Sequence, residues 1–128
     1  MDEQICPARS VLSRIGERWT MSVCGHIDRG VTRFGDLSAS LPGISAKVLS
    51  ETLTRLERDG LIDRQVLDGR PPGVSYELTA LGRGLLETVR PVVRWAAENS
   101  PRMEEARRSY DAGDSLRATS RRASLRQA

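Results

Sequence analysis

The chain has 128 residues, 38% of them hydrophobic and 4% aromatic, a length that supports one domain with a single modest core and argues against a two-domain enzyme. Its formal charge of +3 is unevenly placed: residues 1–101 hold 13 basic and 13 acidic side chains, and the excess lies in residues 102–128, with 7 arginines against 4 acids. A globally basic footprint for nucleic acid is therefore absent from the body, and any such footprint must come from local arrangement.

In chain order, Cys6-Pro7 opens a short helix in which Ala8, Val11, Leu12 and Ile15 recur at helical spacing and which Gly16 ends. A second helix runs from about Arg18 to Asp28, burying Trp19, Val23 and Ile27, with Gly25 as a local weakness and Gly30 closing it. A third, short helix carries Phe34, Leu37 and Leu41 on one face and stops at Pro42-Gly43. The next segment, Gly43 to Asp59, is amphipathic. Leu49, Leu53 and Leu56 share one side, Lys47, Glu51, Thr54 and Arg58 lie opposite, Ser45 is its N-cap and Gly60 ends it.

Beyond Gly60 the period changes to two. Leu61 to Leu67 and Val74 to Leu78 read as antiparallel strands joined by the proline- and glycine-rich loop Asp68 to Gly73. Thr79 caps a long helix whose apolar positions Leu81, Leu85, Val89, Val92, Val93 and Ala96 form one stripe through Pro91, so one kinked helix is expected there. Leu86 and Trp95 widen that stripe beyond what so small a body needs, which points to a partner. Asn99-Ser100-Pro101 reads as a stop and restart. It divides residues 1–100 from residues 101–128, which are expected to form a short polar helix to about Tyr110 and then a flexible, arginine-rich tail.

This order of elements makes the chain mainly α (α+β), a winged helix-turn-helix with a two-stranded wing and long terminal helices. In that motif the second helix, here the one beginning at Ser45, enters the major groove with its N-terminal residues on base edges. The candidate DNA contacts are Ser45, Lys47, Ser50, Glu51, Thr54 and Arg55 on that helix and Arg70 on the wing. Ser45 serves either as a cap alone or also as a phosphate contact. Glu51 either accepts from a cytosine amino group or repels phosphate. Arg70, beside Pro71, either reaches a minor groove or phosphate or is a solvated loop residue. Arg58 suits the negative end of the helix dipole, and Arg64 reads as a strand-edge charge.

Cys6 is the candidate redox sensor. Placed before Pro7 at a helix start and near Arg9, its thiol meets the positive end of the dipole, which favours the thiolate that oxidants attack. The bland reading is a cap or an interface residue. Cys24 reads as a small buried apolar residue, and His26 as a structural histidine. Two cysteines are too few for a disulfide scaffold, and one histidine argues against a histidine-based metal cluster. No paired carboxylates, Ser-His-Asp set, metal-ligand spacing or phosphate-binding glycine loop occurs, so neither enzymatic activity nor a cofactor is expected. No apolar run approaches the roughly 20 residues that span a bilayer, and Met1-Asp2-Glu3 lacks the layout of a signal peptide, so a cytoplasmic protein without a membrane partner is expected.

The runs Cys6-Pro7, Ile15-Gly16-Glu17-Arg18-Trp19-Thr20, Arg33-Phe34-Gly35-Asp36-Leu37, Leu41-Pro42-Gly43-Ile44-Ser45-Ala46-Lys47-Val48-Leu49, Leu56-Glu57-Arg58-Asp59-Gly60-Leu61-Ile62 and Val74-Ser75-Tyr76-Glu77-Leu78-Thr79-Ala80-Leu81-Gly82 resemble the HxlR-type transcriptional regulators, relatives of the MarR group. The resemblance covers about Cys6 to Trp95. It implies a homodimer built largely by the terminal helices, binding double-stranded DNA at a pseudopalindromic operator. It implies repression or activation of nearby genes, in some members switched by oxidants or electrophiles at the position of Cys6. The chain departs from the family at Glu51 and Thr52, where Gln or Arg is frequent, and at Ser22, Cys24, Gly25 and His26, where relatives tend to be aliphatic. A winged-helix module binding protein or a small molecule, its reading face and arginine-rich tail meeting a protein partner, is the other open reading. An acidic recognition face would favour it.

Overall fold

The computed structural model describes the backbone of residues 2–127 and the side chains of residues 7–114, 116 and 117. Its elements are α1 (Asp2–Ile15), α2 (Thr20–Asp28), α3 (Phe34–Ser40), α4 (Ala46–Arg58), β1 (Ile62–Leu67), β2 (Gly73–Leu78) and α5 (Ala80–Gln127). The architecture is the expected winged helix-turn-helix, mainly helical with a two-stranded wing. The chain falls into two compact units, Met1–Thr88 and Val89–Ala128.

In the first unit α2, α3 and α4 enclose one apolar core with the wing. Val23, Leu37, Leu49 and Leu56 are fully buried at its centre, with Leu53, Ile62, Tyr76 and Leu78 around them. Each buried leucine stabilises the fold by roughly 1.5–3 kcal/mol relative to exposure. The wing is antiparallel, Ile62 facing Leu78 and Leu67 facing Gly73. A third segment joins its free edge: Arg33 bridges Ser75, and the Tyr76 amide donates to the Thr32 carbonyl at 2.8 Å. The start of α3 is thereby tied to the wing.

The junctions of α4 are built as its sequence expects. Ser45, extended at φ −81° and ψ 156°, accepts from the Val48 amide. At the other end Gly60 takes φ 75°. Its amide bonds to the Glu57 carbonyl, and the Leu61 amide to Leu56. This paired C-terminal closure needs a left-handed residue at Gly60. Thr79 then caps α5: its hydroxyl accepts from the Gly82 amide at 3.0 Å and donates to the Gly60 carbonyl at 2.7 Å. Gly82 is there for space, because a Cβ at this position would run into the Leu61 carbonyl.

Four expectations are corrected. First, α1 starts at Asp2, so Pro7 lies inside it and Cys6 sits in its second turn, not at its start. A single proline removes one backbone donor without necessarily ending a helix, and Asp2 and Glu3 are residue types that helix starts favour. The Cys6 side chain lies outside the described residues, and the dipole argument for its thiolate loses its geometric basis. Second, α2 starts at Thr20; Trp19 is its half-buried N-cap residue, while Thr20 is buried. Third, the helix does not stop at Asn99-Ser100-Pro101. α5 continues through Pro91 and Pro101 to Gln127, so the expected stop and restart are not seen. Asn99 directs its amide Nδ2 to the Trp95 carbonyl of the same helix at 2.9 Å, and the Arg-, Ala- and Glu-rich residues beyond are good helix formers. Helix formation needs only local bonds, so Pro101 does not by itself end the helix. Fourth, Leu86, expected with Trp95 to widen the α5 stripe beyond what the body needs, is buried in the core, while Leu81, Val92, Val93 and Trp95 are exposed.

Candidate nucleic-acid interface

The polar side of α4 faces solvent because its apolar side is consumed by the core. Lys47, Ser50, Glu51, Thr54 and Arg58 are all exposed. Neither Lys47, Glu51 nor Arg58 has an ion-pair partner among the described residues. The face therefore presents the cations Lys47 and Arg58 and the carboxylate Glu51, with the exposed Glu57 carboxylate at its edge, along a capped helix.

The hydroxyls differ in what they can offer. Ser45 uses its oxygen to accept from Val48 at 3.1 Å, which leaves its proton free to donate. The Thr54 hydroxyl donates to the Ser50 carbonyl at 2.9 Å. So bonded, Thr54 can only accept, from a base amino group and not from phosphate. Among the described residues no bond engages the Ser50 hydroxyl. Thr52, paired in the sequence with Glu51 as a departure at the groove, does not reach it: Thr52 is buried and its hydroxyl donates to the Val48 carbonyl at 2.8 Å. At about 100° per residue, Thr52 turns toward the packed side while Glu51 stays outward.

Arg55 lies at the flank of the face. It lines a shallow cavity of about 300 Å³ with Ser50, Glu51 and Thr54. Yet its Nε stands 3.6 Å from the Glu17 carboxylate, and its Nη2 donates to the Thr52 hydroxyl at 3.5 Å. Glu17 also accepts from Arg14 Nη1 at 2.9 Å, and Arg14 Nε donates to Asp59 at 2.8 Å. An ion-pair chain thus joins the end of α1 to the last turns of α4. Sequence reading missed it because Arg14 and Asp59 stand 45 residues apart, and no local spacing signals such a pair.

On the wing, Arg70 is exposed in the tip loop, away from the helix residues in sequence and carried by a separate element. Arg64 lines a crevice between α4 and the wing with Ser50, Thr54 and Glu57. Among the remaining candidates, burial pushes the Cys24 thiol up from 9.0 to about 11, so it stays protonated and unreactive. The His26 Nδ1 donates to the Ser22 carbonyl at 2.7 Å, a satisfied structural histidine. Among the described residues no group of three His, Cys, Asp or Glu side chains could hold a metal ion, and no helix is long and apolar enough to cross a membrane.

Comparison with known proteins finds the same arrangement elsewhere. The model of the HxlR-like helix-turn-helix family matches residues 14–104. The uncharacterized HTH-type transcriptional regulator YtfH of Escherichia coli K12 is 36% identical over 96 residues, covering 75% of this chain and 76% of that protein. Among solved structures, the reduced form of the transcriptional regulator YodB from B. subtilis superposes with a TM-score of 0.63 at 34% identity, covering 69% of this chain and 86% of YodB. YodB has also been solved after diamide treatment. The redox regulator HypR in its reduced form gives a TM-score of 0.71 at 32% identity, covering 77% and 98%.

Proposed function

The chain belongs to the HxlR-like helix-turn-helix family of transcriptional regulators, which are not enzymes, and from that membership we propose that it binds double-stranded DNA as a homodimer at a pseudopalindromic operator. Half-sites would lie about one helical turn, roughly 10 base pairs, apart. The observation that carries this reading is α4: capped at both ends, held by Leu49, Leu53 and Leu56, and offering Lys47, Ser50, Glu51 and Thr54 outward. Lys47 contacts the groove and Ser50 the DNA beside it, Glu51 accepts from a base amino group, Ser45 donates to phosphate, and Arg70 brings the wing tip to the backbone or minor groove. Arg55 adds a phosphate contact only when it leaves Glu17. With Lys47 and Arg58 against Glu51 and Glu57, and Arg55 drawn to Glu17, the exposed side is balanced and not acidic, which argues against the protein-binding reading.

Dimerisation is supported within each unit separately by apolar side chains left in water: Val11, Leu12 and Leu81 in the first, Val92, Val93 and Trp95 in the second. These terminal helices are the dimerisation elements of the proposal. The regulator acts in the cytoplasm as a repressor, and Cys6 responds to thiol oxidants or electrophiles. The support for that response is the likeness to the redox regulator HypR and to YodB, solved both reduced and after diamide treatment, together with the inertness of Cys24.

Fluorescence anisotropy with DNA from upstream of the protein's own gene, repeated across salt concentrations, tests the reading. Specific binding that weakens with salt is expected, since phosphate contacts release counterions. The absence of any specific, salt-sensitive complex overturns it. For Cys6, Cys6→Ser is expected to keep DNA binding and lose release by diamide; a wild type that diamide leaves bound removes the sensor.

A further inference from the structure

The wing carries an arginine in a position where the fold itself has no use for a charge. Strand alternation puts Ile62, Arg64 and Val66 on one face of β1, opposite Leu78, Tyr76 and Val74. Ile62, Leu78 and Tyr76 are buried, so this is the face turned to the core. Arg64 is nonetheless exposed and has neither a hydrogen bond nor an ion pair among the described residues. It lines a crevice of about 490 Å³ whose other wall is α4, with Ser50, Thr54 and Glu57.

We propose that this crevice seats one phosphodiester of the DNA strand that passes between α4 and the wing, held by the Arg64 guanidinium and the Ser50 hydroxyl. The proposal rests on the reading of α4 as the DNA-facing helix and adds the group that sets the depth of the wing against the backbone. A phosphate needs donors only. Ser50 has an uncommitted hydroxyl proton, whereas that of Thr54 is spent on the Ser50 carbonyl. The guanidinium fork places two parallel N–H groups on two phosphate oxygens. Apolar surface beneath, from Leu53 and Val74, strengthens such a contact by excluding water. A contact of this kind positions the protein without reading sequence. Glu57, the carboxylate in the same crevice, opposes an anion there and would attract a cationic partner, so the sign of its effect identifies the occupant.

The experiment compares the full chain with Arg64→Gln, Arg64→Lys and Glu57→Gln by anisotropy on an operator duplex and on an unrelated duplex, across salt concentrations, with thermal melting of each variant as the folding control. Arg64→Gln is expected to weaken binding to both duplexes by the same factor, about tenfold for a lost charge-assisted contact. It should also flatten the slope of log affinity against log salt by about 1. Arg64→Lys keeps the slope, and Glu57→Gln tightens both complexes. An unchanged slope in Arg64→Gln beside a wild type that binds overturns the crevice alone. So does a loss confined to the operator, or weaker binding by Glu57→Gln. A wild type that binds neither duplex overturns the underlying reading of α4 as well.

Discussion

Helices α1 and α4 have the same kind of sequence and opposite fates. Both carry apolar side chains at helical spacing, yet α4 buries Leu49, Leu53 and Leu56 to 1% exposure or less, while α1 leaves Val11 at 49% and Leu12 at 65%. Periodicity tells which side of a helix avoids water; it does not tell whether the chain itself supplies the cover. For α4 the cover comes from α2 and the wing. For α1 the first unit leaves Val11 in an open apolar cavity of about 590 Å³ with Leu61, Leu81 and Leu85.

Truncating a leucine on each helix is the strongest way to break this comparison. Leu53→Ala is expected to destabilise the protein by about 2–5 kcal/mol in urea unfolding, the range for a core leucine. Leu12→Ala should stay within about 0.5 kcal/mol for dilute protein while raising the dimer dissociation constant in sedimentation. Equal losses from both would erase the distinction between covered and uncovered faces.

The core on which α4 packs has a second signature, in pH. Cys24 titrates higher folded than unfolded, so between pH 9 and about 11 the folded state holds a proton that the unfolded state has released. Stability is then full below pH 9 and falls by about 1.4 kcal/mol per pH unit through that window. Unfolding wild type and Cys24→Ala across it should show the extra fall in wild type only. Parallel curves would place the thiol in water.

Smaller effects sharpen the same contrast at the start of α5. Gly82→Ala drives a methyl into the Leu61 carbonyl and should cost about 1–3 kcal/mol, whereas Gly84, with nothing within 4 Å of an added Cβ, should gain about 0.5–1 kcal/mol as alanine. Calorimetry on the pair reads the difference in sign. Smallest of all is the Arg14 to Asp59 contact. Both side chains are about a third exposed, so Asp59→Asn should lower stability by about 1 kcal/mol or less, and less still in high salt.

The residues themselves determined whatever depends on near neighbours. The caps at Ser45 and Thr79, the left-handed Gly60, the face of α4 and the hairpin all follow from bonds or periods a few residues long, and together they specified the winged helix-turn-helix. Long-range packing decided the rest. Thr52 turned inward beside the outward Glu51, Arg55 was drawn to Glu17, and Arg64, which read as an edge charge, came to line a crevice against α4. The helix also ran on past Pro101, where local propensity carried it across the expected stop. Chain proximity sets a cap, but which carboxylate meets an arginine 38 or 45 positions away is settled only when the core brings the helices together.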